Sequence, residues 1–562
     1  KLRELKVNLS LDGDQLVCRA PKGVMTKELS TEITECKTQI LDFLKSAAQQ
    51  SAVLSKKILK ADNNTPPILS FGQSRLWFLY ELEGPSATYN MPLCLKITGH
   101  FELPYFEKAL NTIIARHESL RYNFVKTSDG PKVVIASEKH CAVNLIDISN
   151  DPSKNLAAIV SQINQSSFDL SNDLLLRATV IRTEPNICFV VILMHHIIAD
   201  GWSIDVLFNE LKGIYSSLAK NQSINLPSLE IQYSDYAKWQ DGELQGPRLK
   251  ELANYWKDHL AGCPDFITLK TDFPRPNYPT YQGGNINKSL DSNLTKALKQ
   301  LSQNSNCTLF MTLLAGFSIL LTTHSSQEDV VIGSPVANRN QSDLENLIGL
   351  FINTLPLRVD LSGNPTVNEL LERVKRICVN GFGNQEIPFE KIVEEINPTR
   401  SLNYSPLYQV AFDIQNLDQD DSSFDGLKIE TLNPENNSAK FDLSLTIQDE
   451  GEQLTCLWNY SSDLFLAETI STFADRFESI LTQMVSSPQM SVHEITLLDQ
   501  KESAHLLNQE KNTQFDLSVN AHIVDLIANN AQAMPDKIAV RFGSQSITYA
   551  QLDQQSSQLA LD

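Results

Sequence analysis

Ile187-Cys188-Phe189-Val190-Val191-Ile192-Leu193-Met194, followed at once by His195-His196-Ile197-Ile198-Ala199-Asp200-Gly201-Trp202-Ser203, is the stretch on which the reading of this chain turns. Eight consecutive apolar residues, several of them β-branched, predict a buried strand. Gly201 marks a turn, and Ile204, Val206, Leu207, Leu211, Ile214 and Tyr215 then recur at roughly helical spacing. Two imidazoles thus stand at a strand end, where backbone polar groups and side chains can meet a substrate. A histidine there can act as a base near neutral pH. Asp200 can pair with a buried cation or fix the local geometry.

A histidine at a strand end is also commonly a core or surface residue. A metal site is disfavoured, because adjacent strand residues point to opposite faces and no cysteine or histidine cluster lies nearby to complete a shell. The whole string, His-His-x-x-x-Asp-Gly-Trp-Ser, resembles the signature of condensation domains of nonribosomal peptide synthetases. Its neighbours resemble further motifs of that family, in order. These are Ser70–Leu79 with Ser86–Pro92, Arg116–Arg121, Tyr233–Gln240, Ile348–Thr354, Asn384–Glu390 and Ser405–Val410. Gly72 stands where the family usually has alanine and Asn384 where it usually has histidine. The resemblance runs from about Pro66 to Leu498.

The resemblance implies an α/β fold of two chloramphenicol-acetyltransferase-like lobes in a V-shaped pseudo-dimer, with the active site on a tunnel between them. It places an N-terminal lobe at residues 67–240 and a C-terminal lobe at 241–500, joined by a helix around Leu249 to Leu260. It implies amide formation between an upstream carrier-bound acyl or peptidyl thioester and the α-amine of a downstream carrier-bound aminoacyl thioester. His196 is the expected base, with His195 more structural. Asp200 is expected to pair with Arg339. Gly201 is expected to let the backbone approach the substrate, its N–H polarising the carbonyl. Trp202, Ser203 and Asn353 are candidates for the tunnel wall. No covalent cofactor and no metal are expected, since substrates arrive on the phosphopantetheine arms of carrier proteins. Within the same fold, an epimerization domain usually lacks Gly-Trp-Ser, a heterocyclization domain replaces the histidine pair with aspartate, and a free acyl-CoA acyltransferase needs no docking segment. A carrier-docking scaffold with a silent site is the reading from a different class.

The first fifty residues form a unit of their own, with a linker at 51–66. Val7, Leu9 and Leu11, the turn Asp12-Gly13-Asp14, then Leu16 and Cys18, predict a β-hairpin. Beyond Pro21-Lys22-Gly23, Thr26 is a candidate N-cap, and Leu29, Ile33, Cys36, Ile40, Leu41 and Leu44 run at helical spacing. Leu9–Asp14 and Arg19–Gly23 resemble the small α/β N-terminal docking domains of the tubulysin-synthetase type. Such domains capture the C-terminal tail of a preceding synthetase subunit. An exposed hairpin edge can take that tail as an added strand, and Arg3, Lys6, Arg19 and Lys22 can pair with acidic residues on it.

After a linker at 501–514, residues 515–562 resemble the opening of an adenylation domain (Ala521–Ala531, Pro535–Val540, Ser546–Leu552). The glycine-rich ATP loop of such a domain does not follow, and no carrier motif occurs, so the condensation domain is expected to be the one complete catalytic unit. Composition is compatible with these readings. The 562 residues are 42% hydrophobic and carry a net charge of −20, which argues against a nucleic-acid footprint. Nine scattered cysteines, an odd number with no C-x-x-C pair, suggest reduced thiols and a cytoplasmic protein. Leu309–Leu321 is too short to span a bilayer and reads as a buried helix, so no membrane association is expected.

Overall fold

The computed structural model describes residues 8–12, 15–19, 57–62, 65–150, 154–399, 401, 403–416, 423–424, 426–432, 438–497 and 522–561. The N-terminal hairpin joins β1 (Asn8–Asp12) to β2 (Gln15–Arg19) in antiparallel register, with Leu11 opposite Leu16. Arg19 ends β2. Arg3, Lys6, Lys22 and the helix expected between Thr26 and Leu44 lie outside the described residues.

The first half of the main body contributes β3 (Asn90–Thr98), a hairpin of β4 (Tyr122–Thr127) and β5 (Gly130–Ile135), β6 (Asn144–Asp147), β7 (Leu176–Glu184) and β8 (Ile187–His195). The second half contributes β9 (Gly283–Leu290), β10 (Asp329–Val336), β11 (Asn353–Asp360), β12 (Val410–Asn416), β13 (Ser423–Phe424), β14 (Leu427–Leu432), β15 (Leu443–Asp449) and β16 (Leu454–Ser461). Two six-stranded sheets result, in the orders β13-β14-β3-β8-β7-β6 and β11-β10-β12-β15-β16-β9. Each sheet, with its helices, makes one lobe.

β8 is central in the first sheet, paired antiparallel with β3 on one side and β7 on the other. All but two of its residues are buried, the pattern of a strand covered on both faces. The second half reaches into this lobe in two places. Lys428 to Leu432 pair with Thr98 to Cys94, closing the edge that β3 would otherwise expose. Leu344, Leu347, Ile348, Leu350 and Phe351 pack into the first lobe's core with Leu427 and Ile429. The lobes are therefore interleaved in sequence, a feature that the contiguous spans 67–240 and 241–500 do not contain.

The helix expected at the lobe junction runs Gly246–His259. The apolar stretch after Thr308 forms the helix Leu309–Ser325, started by a capping box in which the Thr308 side chain accepts from the Met311 N–H. Met311 to Leu321 are all buried, the helix packing against β10 and β12 of the second sheet and against the helices Val367–Gly383 and Ala467–Ser486. Among the described residues no single helix is long and apolar enough to cross a membrane.

The chain divides into two compact units, Lys1–Ile495 and Thr496–Asp562. Within the second, the described residues form a helix (Ile523–Ala533), an antiparallel hairpin of β17 (Ile538–Phe542) and β18 (Gln545–Thr548), and a helix Tyr549–Leu561.

Candidate active site

The end of β8 is held from both sides. The N–H of His195 donates to the Leu175 carbonyl and that of His196 to the Tyr89 carbonyl, at 3.0 and 2.8 Å. A single 3₁₀ turn, His196–Ile198, then leads to Asp200, the N-cap of the helix Gly201–Ala219. This turn sends the two imidazoles into different surroundings. His195 is buried, its Nδ1 accepting from the Ile197 N–H at 3.1 Å and its ring edge-on to Phe168. His196 faces a cavity of about 210 Å³ walled by both lobes.

His196 Nδ1 lies 2.8 Å from the Ala199 carbonyl oxygen. A carbonyl oxygen only accepts, so Nδ1 carries the proton and the lone pair is left on Nε2. Burial, reinforced by the charge of Lys440 and opposed by Asp200, lowers the His196 pKa to about 4. Burial lowers that of His195 to about 3. Both rings are therefore neutral at physiological pH.

Asp200 is fully enclosed. Its Oδ1 accepts from the Ser203 N–H at 2.9 Å, the Ser203 hydroxyl at 2.7 Å and Arg339 Nη2 at 3.0 Å. Its Oδ2 accepts from the N–H groups of Phe351 and Ile352 at 2.9 and 3.2 Å. Arg339 in turn donates to the carbonyls of Leu344 and Leu347 and to the Ser203 hydroxyl, and its guanidinium lies 4.1 Å over the Phe351 ring. The two charged side chains are 1% and 2% exposed. This ion pair ties the strand–turn–helix of the first lobe to the segment Arg339–Ile352 of the second half. Gly349 permits the approach, since a Cβ there would fall 2.0 Å from the Tyr233 ring.

Three of the candidates do not line the cavity. Ser203 is wholly buried, and its hydroxyl bridges Asp200 and the Gly349 carbonyl at 2.9 Å, so its part is to brace the ion pair. Trp202 turns outward and donates its indole N–H to the Glu345 carbonyl at 2.9 Å. Gly201 opens the helix on its exposed side, and a Cβ there would meet nothing within 4 Å. Asn353 does line the cavity. It donates to the carbonyls of Gln385 and Ile387 and accepts from the N–H groups of Thr354 and Phe389, which shapes the wall with its own hydrogen-bonding capacity filled.

The rest of the wall includes residues to which the sequence assigned no role. Arg75 pairs with Glu390 at 3.2 Å, joining the helix Phe71–Glu83 of the first lobe to the helix Phe389–Ile396 of the second. Tyr89, Tyr236 and Tyr408 add aromatic surface, and Lys440 adds a second cation. Arg75 and Glu390 fall within stretches that carry the resemblance, so opposite charges in two motifs were the available signal. Lys440 lies in none of those stretches, and nothing in its local pattern distinguishes it from a surface lysine.

The chain is 37% identical over 516 residues to malpinin synthetase of Mortierella alpina, covering 92% of this chain and 7% of that protein. It is 32% identical over 558 residues to bacitracin synthase 3 of Bacillus licheniformis, covering 98% of this chain and 9% of that protein. The chain thus spans less than a tenth of the length of these relatives. The fold matches the crystal structure of holo-AB3403, a four-domain nonribosomal peptide synthetase, with a TM-score of 0.74 at 21% identity over 88% of this chain and 38% of that one. The TubC N-terminal docking domain model matches residues 1–46 and the condensation domain model residues 64–507. With that model covering most of its length and His196 of the histidine motif lining a cavity walled by both lobes, the chain belongs to the condensation-domain family of nonribosomal peptide synthetases.

Proposed function

We propose that this chain joins an acyl or peptidyl thioester on an upstream carrier protein to the α-amine of an aminoacyl thioester on a downstream carrier. The observation that carries this reading is His196: a neutral imidazole with Nδ1–H tied to the Ala199 carbonyl and the Nε2 lone pair free, in a cavity walled by both lobes. The acceptor amine attacks the donor carbonyl carbon. A C–N bond forms, the C–S bond breaks, and the sulfur leaves as the thiol of the upstream arm. An α-amine has a pKa of about 8, so a sizeable share is already neutral and nucleophilic. His196 then serves to hold the amine by its N–H and to take the proton released as the bond forms. A pKa as low as about 4 suits transient relay of that proton to the departing sulfur better than its storage. Alignment of two tethered reactants supplies much of the rate. The carriers' phosphopantetheine arms are part of the substrates.

Asp200 and Arg339 act as support: they fix the turn that aims His196. The β1–β2 hairpin, a two-stranded sheet among the described residues, receives the C-terminal tail of a preceding subunit as an added strand. Residues 515–562 are the opening of an adenylation domain. In support, Val524, Leu526 and Phe542 are exposed apolar side chains, as expected where more of a domain would cover them. Among the described residues of the main body the cysteines are free thiols, which favours the reducing cytoplasm.

Intact-mass analysis tests the reaction. A donor carrier charged with an acyl group and an acceptor carrier charged with an amino acid are incubated with the protein. Movement of the acyl mass to the acceptor carrier, slowed sharply in His196→Ala, is the expected result. Absence of transfer with several donors overturns the reading in favour of a carrier-docking scaffold.

A further inference from the structure

The cavity holds two cations of unlike standing. Arg75 has a partner in Glu390, and that ion pair, despite the cost of burial, holds the guanidinium above its ordinary pKa. Lys440 has none: no carboxylate among the described residues pairs with it. Its ammonium instead lies 5.0 Å over the centre of the Tyr89 ring, so a residue of the second lobe reaches across to the first. Solvent reaches Lys440 although protein surrounds it, because it is open to the cavity.

The backbone that carries Lys440 is pinned on both sides. Ser438 bridges to Gln282, and the Ala439 N–H donates to the Tyr281 carbonyl at 2.9 Å. Two residues further on, the Asp442 N–H donates to the Gln409 carbonyl at 3.0 Å, and its carboxylate pairs with Arg275. A flexible side chain is thus launched from a rigid base into the cavity that His196 also lines, where the reaction is assigned. The charge of Lys440 is felt at His196, where it is the second contributor, after burial, to the lowered pKa.

The attack of an amine on a thioester moves the carbonyl π pair onto oxygen, giving a tetrahedral centre with one negative oxygen. The neutral His196 lone pair cannot stabilise that oxygen. Gly201, whose N–H the sequence nominated for the task, does not line the cavity. A cation without a partner in the same enclosure meets the need.

We propose that Lys440 is a further catalytic residue: its ammonium receives the donor carbonyl oxygen as it becomes negative, while His196 from the other lobe handles the amine proton. Division of labour between the lobes follows, with the proton relay on the first and charge stabilisation on the second. When the C–S bond breaks, the electron pair on oxygen re-forms the carbonyl and the ammonium is released unchanged. Lys440 must be protonated to act. Burial, followed by the charge of Arg75, lowers its pKa to about 8, so it remains mostly charged at neutral pH. The other titratable groups of the wall are His196, Glu390, Tyr89, Tyr236 and Tyr408.

This inference rests on the amide-forming reading, so its test includes a readout independent of turnover. Two pantetheine-linked ligands are compared by calorimetry on the full chain: the amide product, and a phosphinate in which an anionic tetrahedral phosphorus replaces the reacting carbon. Wild type, Lys440→Met and Lys440→Arg are used, each first shown to unfold at the wild-type temperature. Lys440→Met is expected to lose about 10²-fold in affinity for the phosphinate and little for the amide, with Lys440→Arg recovering most of the loss. In the two-carrier assay, Lys440→Met should slow transfer by a similar factor, and Lys440→Arg should retain activity above pH 8, where the wild type declines. Equal affinity of wild type and Lys440→Met for the phosphinate overturns the proposal, as does an equal loss for both ligands. If wild type binds the phosphinate through Lys440 but transfers no acyl group between carriers, it is the reaction assignment that fails.

Discussion

The Asp200–Arg339 ion pair and the cavity around His196 are separated by only a few residues of chain and built to opposite rules. At the ion pair, charges are taken wholly out of water and compensated: Asp200 accepts five hydrogen bonds, and Arg339 fills its two terminal nitrogens. In the cavity, groups are left with capacity in hand. His196 and Lys440 line the cavity, and neither the His196 Nε2 nor the Lys440 ammonium has a hydrogen-bond or ion-pair partner among the described residues. The lesson is that this site keeps rigidity and reactivity in adjacent but separate places. A buried charge whose terminal atoms are all held by protein has little left for a substrate, as at Arg339, although its Nε has no partner among the described residues. One left unpaired must be near solvent or pay heavily for burial.

The largest effect expected from breaking that separation is at Asp200. Asp200→Ala leaves Arg339 buried without its counter-ion and the Phe351, Ile352 and Ser203 N–H groups without an acceptor. Removing one partner of a buried pair costs about 3–5 kcal/mol. Denaturant unfolding should show that loss, and transfer should fall because the turn bearing His196 is no longer held. Unchanged stability would mean that the pair does not hold the lobes together.

His196→Ala is next, and of the other kind. The imidazole has one hydrogen bond to give up, so stability should change little while transfer slows by about 10²–10⁴-fold. A variant that loses stability as much as Asp200→Ala would erase the distinction between the two regions. Protonation sharpens the contrast further. His195 and His196 are depressed to about 3 and 4, as are His259 and His324 to about 4. Between pH 6.5 and 4 the unfolded chain takes up protons on these rings that the folded one refuses, so stability should fall as pH falls through that window. Asp413, raised to about 6 by burial, works in the opposite direction. Urea midpoints measured from pH 7 to pH 4.5 should decrease, and a flat profile would contradict the buried, neutral histidines.

The smallest effect belongs to Arg75 and Glu390, whose side chains are 35% and 25% exposed. A pair so placed contributes on the order of 1 kcal/mol or less. A double-mutant cycle with Arg75→Ala and Glu390→Ala should return a coupling within that bound, with the KM for carrier-bound substrates changing more than the folding free energy.

Much of this was legible in the chain's own residues. The run Ile187–Met194 announces its strand because eight apolar residues can be buried on both faces of a sheet, and the spacing of apolar residues from Ile204 to Tyr215 announces the helix that follows. Family likeness supplied Arg339 as the partner of Asp200, residues 139 positions apart that meet at 3.0 Å. Local pattern failed where side-chain direction decides. Trp202 and Ser203 adjoin the motif, but helical geometry turns one outward to the Glu345 carbonyl and the other inward to Asp200. The pairing of β14 with β3 was also out of reach, since register between distant strands leaves no local periodicity.

By itself, then, the sequence determined the element types, which rest on short-range patterns of apolar and turn residues, and it displayed the histidine motif by whose resemblance the family was recognised. Only the tertiary structure decided which groups share the cavity. The placement of Lys440 over Tyr89, 351 positions apart in the chain, follows from two lobes closing on each other, and that is a property of packing which no neighbouring residue encodes.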